Sequence, residues 1–196
     1  MALANPRIVE TIVTTRSAAG EIHIAPLGLH EDGAGYIIAP FKPSRTLDNL
    51  IAHPFACASH TDDVRVFAGC VTGRKVWPTV PAVKDAGARL AGALSHWELA
   101  VDRVAEDAER PRFHCRLVHT GMHAPWGGFN RAQAAVLELA VLTTRLHMLP
   151  AGKIDAEMKY LEIAIQKTAG PREHEAWGWL MERIAVWRRG DAPDKA

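Results

Sequence analysis

The chain has 196 residues, with 23 Lys and Arg against 22 Asp and Glu, a formal net charge of +1, so no strongly basic field argues for nucleic acid as its main partner. Hydrophobic residues make up 48% and charged residues 23%, the balance of a globular protein with a proper core, in one large domain or a main domain with a smaller annex. No stretch approaches the roughly 20 apolar residues that span a bilayer, and the opening Met-Ala-Leu-Ala-Asn-Pro lacks the basic segment and apolar core of a secretory leader. The three cysteines, Cys57, Cys70 and Cys115, form no CxxC pair and are odd in number, which predicts a reducing compartment. A soluble, cytoplasmic protein is expected.

The first two-thirds reads mostly as strands. Residues 8–15 are rich in β-branched side chains, 17–20 supply a turn, and 21–27 alternate with period two, a hairpin signature. Gly33 and Gly35 precede a strand over 36–39. Leu47, Leu50 and Ile51 recur at helical spacing over 44–52, and His53-Pro54 closes that helix. A strand over 55–60, a turn at Thr61-Asp62-Asp63 and the apolar run 64–71 continue the series, whereas 72–92 predicts a loop with a short helix. Two long alternating runs, 94–105 and 112–122, flank a polar hairpin connection at 106–111.

The character changes at Gly127-Gly128. Asn130 with Gln133 makes a capping-box-like start to a helix carrying Ala135, Leu139, Leu142 and Leu146. A second helix covers about 154–168 and a third about 172–188, the latter using Trp177, Leu180, Met181, Ile184 and Trp187. The expected architecture is therefore mainly β plus α: an antiparallel β domain over 1–126, then a three-helix segment over 127–196 packed on it.

The strongest local signal is the stretch from Tyr36 to Leu50. An apolar strand enters a cationic, hydroxyl-rich turn that opens a helix, which sets Lys42, Ser44, Arg45 and Thr46 at a helix N-terminus. Free backbone N–H groups and the positive end of the helix dipole favour an anion there, phosphate above all. A second reading stands beside it: a solvated helix start with Ser44 as N-cap and the two cations merely exposed. Neither GxxxxGK[ST] nor GxGxxG is present, so nucleotide hydrolysis and Rossmann-type binding are poorly supported.

Other candidates are weaker. The turn His60-Thr61-Asp62-Asp63 reads first as an ordinary turn whose side chains bond their own backbone. Among ten histidines there is no HExxH and no His/Cys pair at ligand spacing, so no metal site is expected. Strict alternation along 112–122 sets His119 and His123 on the face of Phe113 and Cys115, with His114 opposite. No GxSxG elbow exists for a hydrolytic triad. Cys57 and Cys115 fall in strand patterns as buried, inert thiols. Gly127-Gly128-Phe129-Asn130-Arg131 is a second cationic helix start, for a ligand anion or simply for its own helix.

Several stretches together carry a resemblance: residues 10–16, Ala25-Pro26-Leu27-Gly28, Pro40-Phe41-Lys42-Pro43-Ser44-Arg45-Thr46 with Asn49-Leu50, and Thr61-Asp62-Asp63. Gly128-Phe129-Asn130-Arg131-Ala132 and Thr143-Thr144-Arg145-Leu146-His147 follow in the expected order. The sequence resembles a family of uncharacterised FMN-binding split-barrel proteins of methanogenic archaea and methylotrophic bacteria, a numbered domain of unknown function with a helical C-terminal part. Pro43 departs from the small flexible residue expected at its position. The resemblance implies a flavin reductase-like split β-barrel with FMN near a homodimer interface. It implies that Ser44, Arg45 and Thr46 hold the phosphate, with Lys42 and Asn49 nearby. It further implies that Thr14, His60, Thr61 and Asp62 line the ribityl chain and ring, and that Asn130 and Arg131 close the site. The implied function is an FMN-dependent oxidoreductase or reductase served by NAD(P)H or a small-molecule redox partner, linked through the family's distribution to pterin-dependent one-carbon metabolism. A flavin-binding module without turnover (a carrier, sensor or assembly factor) is the alternative.

Overall fold

The computed structural model describes residues 6–190, so the expectation of no leader at the first five residues lies outside it. The described chain forms two compact units, residues up to 61 with 76–125, and 62–75 with those from 126 onward.

The first unit is a closed antiparallel barrel. Its strands are β1 (Ile8–Arg16), β2 (Ile22–Asp32), β3 (Gly35–Ile38), β4 (Phe55–His60), β7 (Ser95–Ala105) and β8 (Arg112–Met122). Their order is β1-β2-β3-β8-β7-β4, and β4 closes the ring by pairing with β1. The strand expected over 21–27 runs on to Asp32, because Gly33 at φ +62° allows a tight turn into β3. Inward residues, among them Val13, Leu29, Ile38, Ala58, Leu99 and Phe113, fill the barrel, and helix α1 (Arg45–Ala52) adds Leu47 and Leu50. Alternation makes this possible: Trp97, Leu99 and Val101 belong to the core, while His96 and Glu98 face the other side.

Residues 72–92 correct the sequence expectation. They hold no helix; β5 (Thr79–Pro81) and β6 (Ala88–Leu90) form a hairpin. It covers an outer face of the barrel, where Leu90 N donates to Ser59 Oγ at 3.1 Å and Thr14 Oγ1 donates to the Ala88 carbonyl. Strands of three residues are too short to show a period among Pro, Gly and Lys, which is why the sequence hides them.

The second unit is helical. Residues expected to continue the strand series are instead α2 (Arg65–Val71), grouped with α3 (Arg131–Thr144), α4 (Ala151–Thr168) and α5 (Pro171–Arg188). Val66, Phe67, Ala68, Gly69 and Cys70 are all buried, and a short run apolar on every side has no period to separate helix from strand. Val136, Leu139, Ile154, Leu180 and Ile184 form its core, each 0–1% exposed. Asn130 caps α3, accepting from Ala132 N at 2.8 Å and Gln133 N at 3.3 Å. The return half of the expected capping box is replaced: Gln133 reaches Glu173 at 3.4 Å.

An ion triad ties α2 to α5. Arg65 donates to both carboxylate oxygens of Asp63, at 2.9 and 2.6 Å, and to Glu175 at 3.1 Å. Burial alone would raise the Asp63 pKa, but the Arg65 hydrogen bonds and charge outweigh it and hold the carboxyl below its ordinary range. A depressed folded pKa stabilises above the unfolded value of about 3.9 and stops doing so as pH falls through the folded value. Asp63→Asn is therefore expected to lower stability by about 1–2 kcal/mol at pH 7. Urea melts at pH 7 and below pH 4 check this: the deficit shrinks on acidification, and a pH-independent deficit would refute the linkage.

Candidate functional site

The turn between β3 and α1 is assembled from two directions. Ser44 takes extended backbone angles (φ −158°, ψ 151°) and accepts from Leu47 N at 3.2 Å, so it is the N-cap of α1. From the other side, the 106–111 connection buttresses the turn. Lys42 N donates to the Glu109 carbonyl at 2.8 Å, and Arg110 donates twice to the Ala39 carbonyl while lying 4.3 Å over the Phe41 ring. The Lys42–Pro43 peptide is cis. The polar composition of 106–111 predicts only a hairpin connection, since nothing in it names a partner over 60 residues away.

The cations at the turn are in different situations. Lys42 Nζ donates to the Asp107 carbonyl at 3.0 Å and lies 3.4 Å from Glu106. Arg45 is exposed and, among the described residues, its guanidinium has no hydrogen-bond or ion-pair partner. The helix leaves its first amides without i−4 acceptors. Ser44 satisfies Leu47, and the N–H groups of Arg45 and Thr46 have no acceptor among the described residues. An anion would find two amides and one guanidinium here. Beside the turn runs a largely apolar groove of about 360 Å³, walled by Leu47, Leu50, Val101, Val104 and Phe113, with Lys42 at its edge.

The other sequence candidates separate. Thr46 and Asn49 are buried, and Asn49 Nδ2 donates to Thr15 Oγ1 at 2.9 Å, tying α1 to β1. Thr14 is 2% exposed, its hydroxyl directed at the Ala88 carbonyl and, at 3.4 Å, that of Cys57. His60 ends β4 with Nδ1 3.2 Å from Ser95 Oγ and its ring edge-on to Trp97, which stacks on Tyr36 at 4.3 Å. Its Nε2 is buried without a hydrogen bond among the described residues. Burial, with help from His96, pushes the His60 pKa down, so its neutral form is favoured. Thr61 belongs to the barrel unit and is half-buried; Asp62, Asn130 and Arg131 belong to the helical unit. There Asn130 is committed to its cap and, through Nδ2, to the Thr168 carbonyl at 3.0 Å, while Arg131 is exposed.

The structure assembles one cluster that sequence reading dispersed. His96 and Glu98, 1% and 0% exposed, lie with His119 on the outer face of β7 and β8. Strict alternation assigned His119 to the face of Phe113, and this is corrected by a bulge. Leu99 pairs with Leu117 and Glu98 with His119, so Val118 is the extra residue that reverses the phase. His96-x-Glu98 was the available signal, since two residues one apart share a strand face. Burial works against the Glu98 charge, but hydrogen bonds from Val83 N, Lys84 N and His96 hold the carboxyl below its ordinary range. Cys57 and Cys115 are buried, which pushes both thiols up to about 12 and makes them poor nucleophiles. No helix of the described residues is long and apolar enough to cross a membrane.

No curated protein matches the sequence. Among solved structures, the FMN-bound protein MM1853 from Methanosarcina mazei, itself of family DUF447, superposes with a TM-score of 0.78 at 19% identity. The match covers 91% of this chain and 95% of MM1853. The 2-nitrobenzoate 2-nitroreductase NbaA of Pseudomonas fluorescens matches with a TM-score of 0.50 at 16% identity, over 62% of this chain and 67% of its own. Nitrilotriacetate monooxygenase component B from Mycobacterium thermoresistibile matches with a TM-score of 0.50 at 15% identity, over 61% and 69%. At these identities the likeness is one of fold, and it is the split barrel with C-terminal helices that the sequence predicted. The model for the N-terminal domain of protein of unknown function DUF447 matches residues 9–124, and the DUF447 C-terminal model matches 130–182. The chain belongs to the DUF447 family.

Proposed function

We propose that this protein binds FMN and serves as an FMN-dependent oxidoreductase. The observation that carries the reading is the turn at the N-terminus of α1. Two amides and the Arg45 side chain, without acceptors among the described residues, belong to a capped helix start, in a fold shared with the FMN-bound MM1853. A phosphate monoester suits that donor set, because charge and oriented amides act together on its oxygens. The apolar groove beside the turn offers a wall for a planar ring but no nucleophile.

Bound flavin supplies the hydride and electron chemistry, and the protein supplies position and electrostatics. In this reading Arg45 and the α1 amides anchor the phosphate and Ser44 keeps the helix start open in the required geometry. His60 is favoured neutral, and its Nε2 is buried without a hydrogen bond among the described residues. The roles of Thr14, Asn49, Thr61, Asp62, Asn130 and Arg131, and FMN near a homodimer interface, rest on the family resemblance alone. A nitroreductase and a monooxygenase component sharing the barrel are the support for turnover; nothing in the groove selects a substrate.

The test is spectroscopic. The purified protein is expected to take up one FMN per chain, with quenched flavin fluorescence, to be bleached by NAD(P)H without air and to regain colour with an electron acceptor. Bound FMN that neither nicotinamide reduces would favour the non-catalytic module. Failure to take up FMN removes both readings.

A further inference from the structure

We propose that His96, Glu98 and His119 form a binding site for a divalent transition-metal ion of the zinc kind, on the outer face of the barrel and independent of the flavin reading. One nitrogen or oxygen from each of the three lies within 4.8 Å of the others. His96 Nε2 and Glu98 Oε1 are 3.2 Å apart, near the roughly 3.4 Å that separates two ligands of a tetrahedral ion at about 2.1 Å. The third ligand, His119, is half-buried and makes no hydrogen bond among the described residues, so its ring is free to close by the small remaining distance.

The surroundings are those of a held ligand set. Glu98 is fixed through both oxygens, Oε1 accepting from Val83 N at 2.6 Å and Oε2 from Lys84 N at 2.7 Å. His96 is fixed on its far side, Nδ1 lying 2.9 Å from His123 Nε2, and the two rings stack at 5.0 Å. Gly121 completes the cradle: a Cβ there would stand 2.4 Å from His96 Cε1, so only glycine lets the imidazole lie across β8. A ligating histidine ordinarily donates its second N–H to such a partner. An ion at Nε2 would replace the proton that otherwise bridges to Glu98, and the ring proton would sit on Nδ1, donated to His123.

Two imidazoles and one carboxylate select borderline ions such as zinc or ferrous iron over calcium or magnesium. Three protein ligands leave at least one position for water or a substrate oxygen, and His119, the one ligand of the three that is not fully buried, marks the solvent side.

Chelator-treated full-length protein is to be titrated calorimetrically with zinc chloride, and in parallel with cobalt chloride read by visible absorption. One tight equivalent is expected, with cobalt bands of four- or five-coordinate intensity. His119→Ala, at a half-buried residue without hydrogen bonds, is expected to weaken binding at least 100-fold while circular dichroism stays unchanged; His119→Gln serves should alanine disturb the fold. His123→Ala is expected to weaken it about 10- to 100-fold, the range for a partner behind a ligand. His114→Ala, at the exposed pair of His114 Nδ1 and Asp32 at 2.6 Å, is expected to change nothing. Absence of a stoichiometric site in the parent protein overturns the proposal, as does binding indifferent to His119.

Discussion

Truncating Phe113 to alanine is expected to destabilise the barrel by about 3–5 kcal/mol, the range for removing a fully buried aromatic ring. Phe113 is 1% exposed and sits on β8 opposite Ile38 of β3 and Val104 of β7. Its ring shares the barrel core with Leu29, Ile38, Leu50 and Leu99, and also walls the groove beside the α1 turn. The lost transfer energy and the cavity add, because a closed barrel has little freedom to collapse around the gap. Urea unfolding followed by circular dichroism, with amide exchange read in β3, β7 and β8, measures the effect. Leu117 on the same strand, 38% exposed, is the internal control, and its alanine variant should fall within about 0.5 kcal/mol of the parent. A Phe113→Ala midpoint indistinguishable from that of Leu117→Ala would deny Phe113 its place in the core.

The long strands were legible because each carries its own period over enough residues. β7 and β8 are eleven residues each, long enough for alternation over part of their length to mark them, and both lie where the pattern predicts. What failed was short or depended on distant partners. The 65–71 helix presents apolar residues on every side, and β5 and β6 have three residues each, so neither offers a period. The placement of His119 failed for a different reason. A single bulge residue, Val118, reverses all faces beyond it, and bulges are fixed by cross-strand pairing that one strand's sequence does not express.

The candidate site shows the same division. Ser44 as cap and α1 as helix follow from local chemistry, and both are present. The buttress from Glu109 and Arg110 to the turn, and the Asn49–Thr15 bond, link residues 34 to 71 positions apart, beyond what periodicity reports. Lys42 and Arg45 look equivalent in sequence. Only the fold distinguishes them, since one is engaged by the 106–111 connection and the other is not.

That difference sets the sharpest test of the phosphate turn. Arg45→Ala is expected to weaken FMN binding by about 1.5–3 kcal/mol, the scale of a lost charge-assisted hydrogen bond, or about 10- to 150-fold in Kd. Arg45 lies at N1 of α1 with its side chain exposed, so its removal spares the core. Lys42→Ala should cost less, because its ammonium already serves the Asp107 carbonyl and Glu106 in an exposed pair. Ser44→Ala should act through the helix: it strips the cap from Leu47 N, a loss of about 1 kcal/mol in stability. Arg45→Lys separates charge from geometry, since lysine keeps the positive charge but not the planar fork that meets two phosphate oxygens. Flavin fluorescence titrations of the Arg45 and Lys42 variants give the order Arg45→Ala weakest, then Arg45→Lys, then Lys42→Ala. Unchanged affinity in a folded Arg45→Ala protein would leave Ser44 as the cap of a solvated helix and remove the phosphate from this turn.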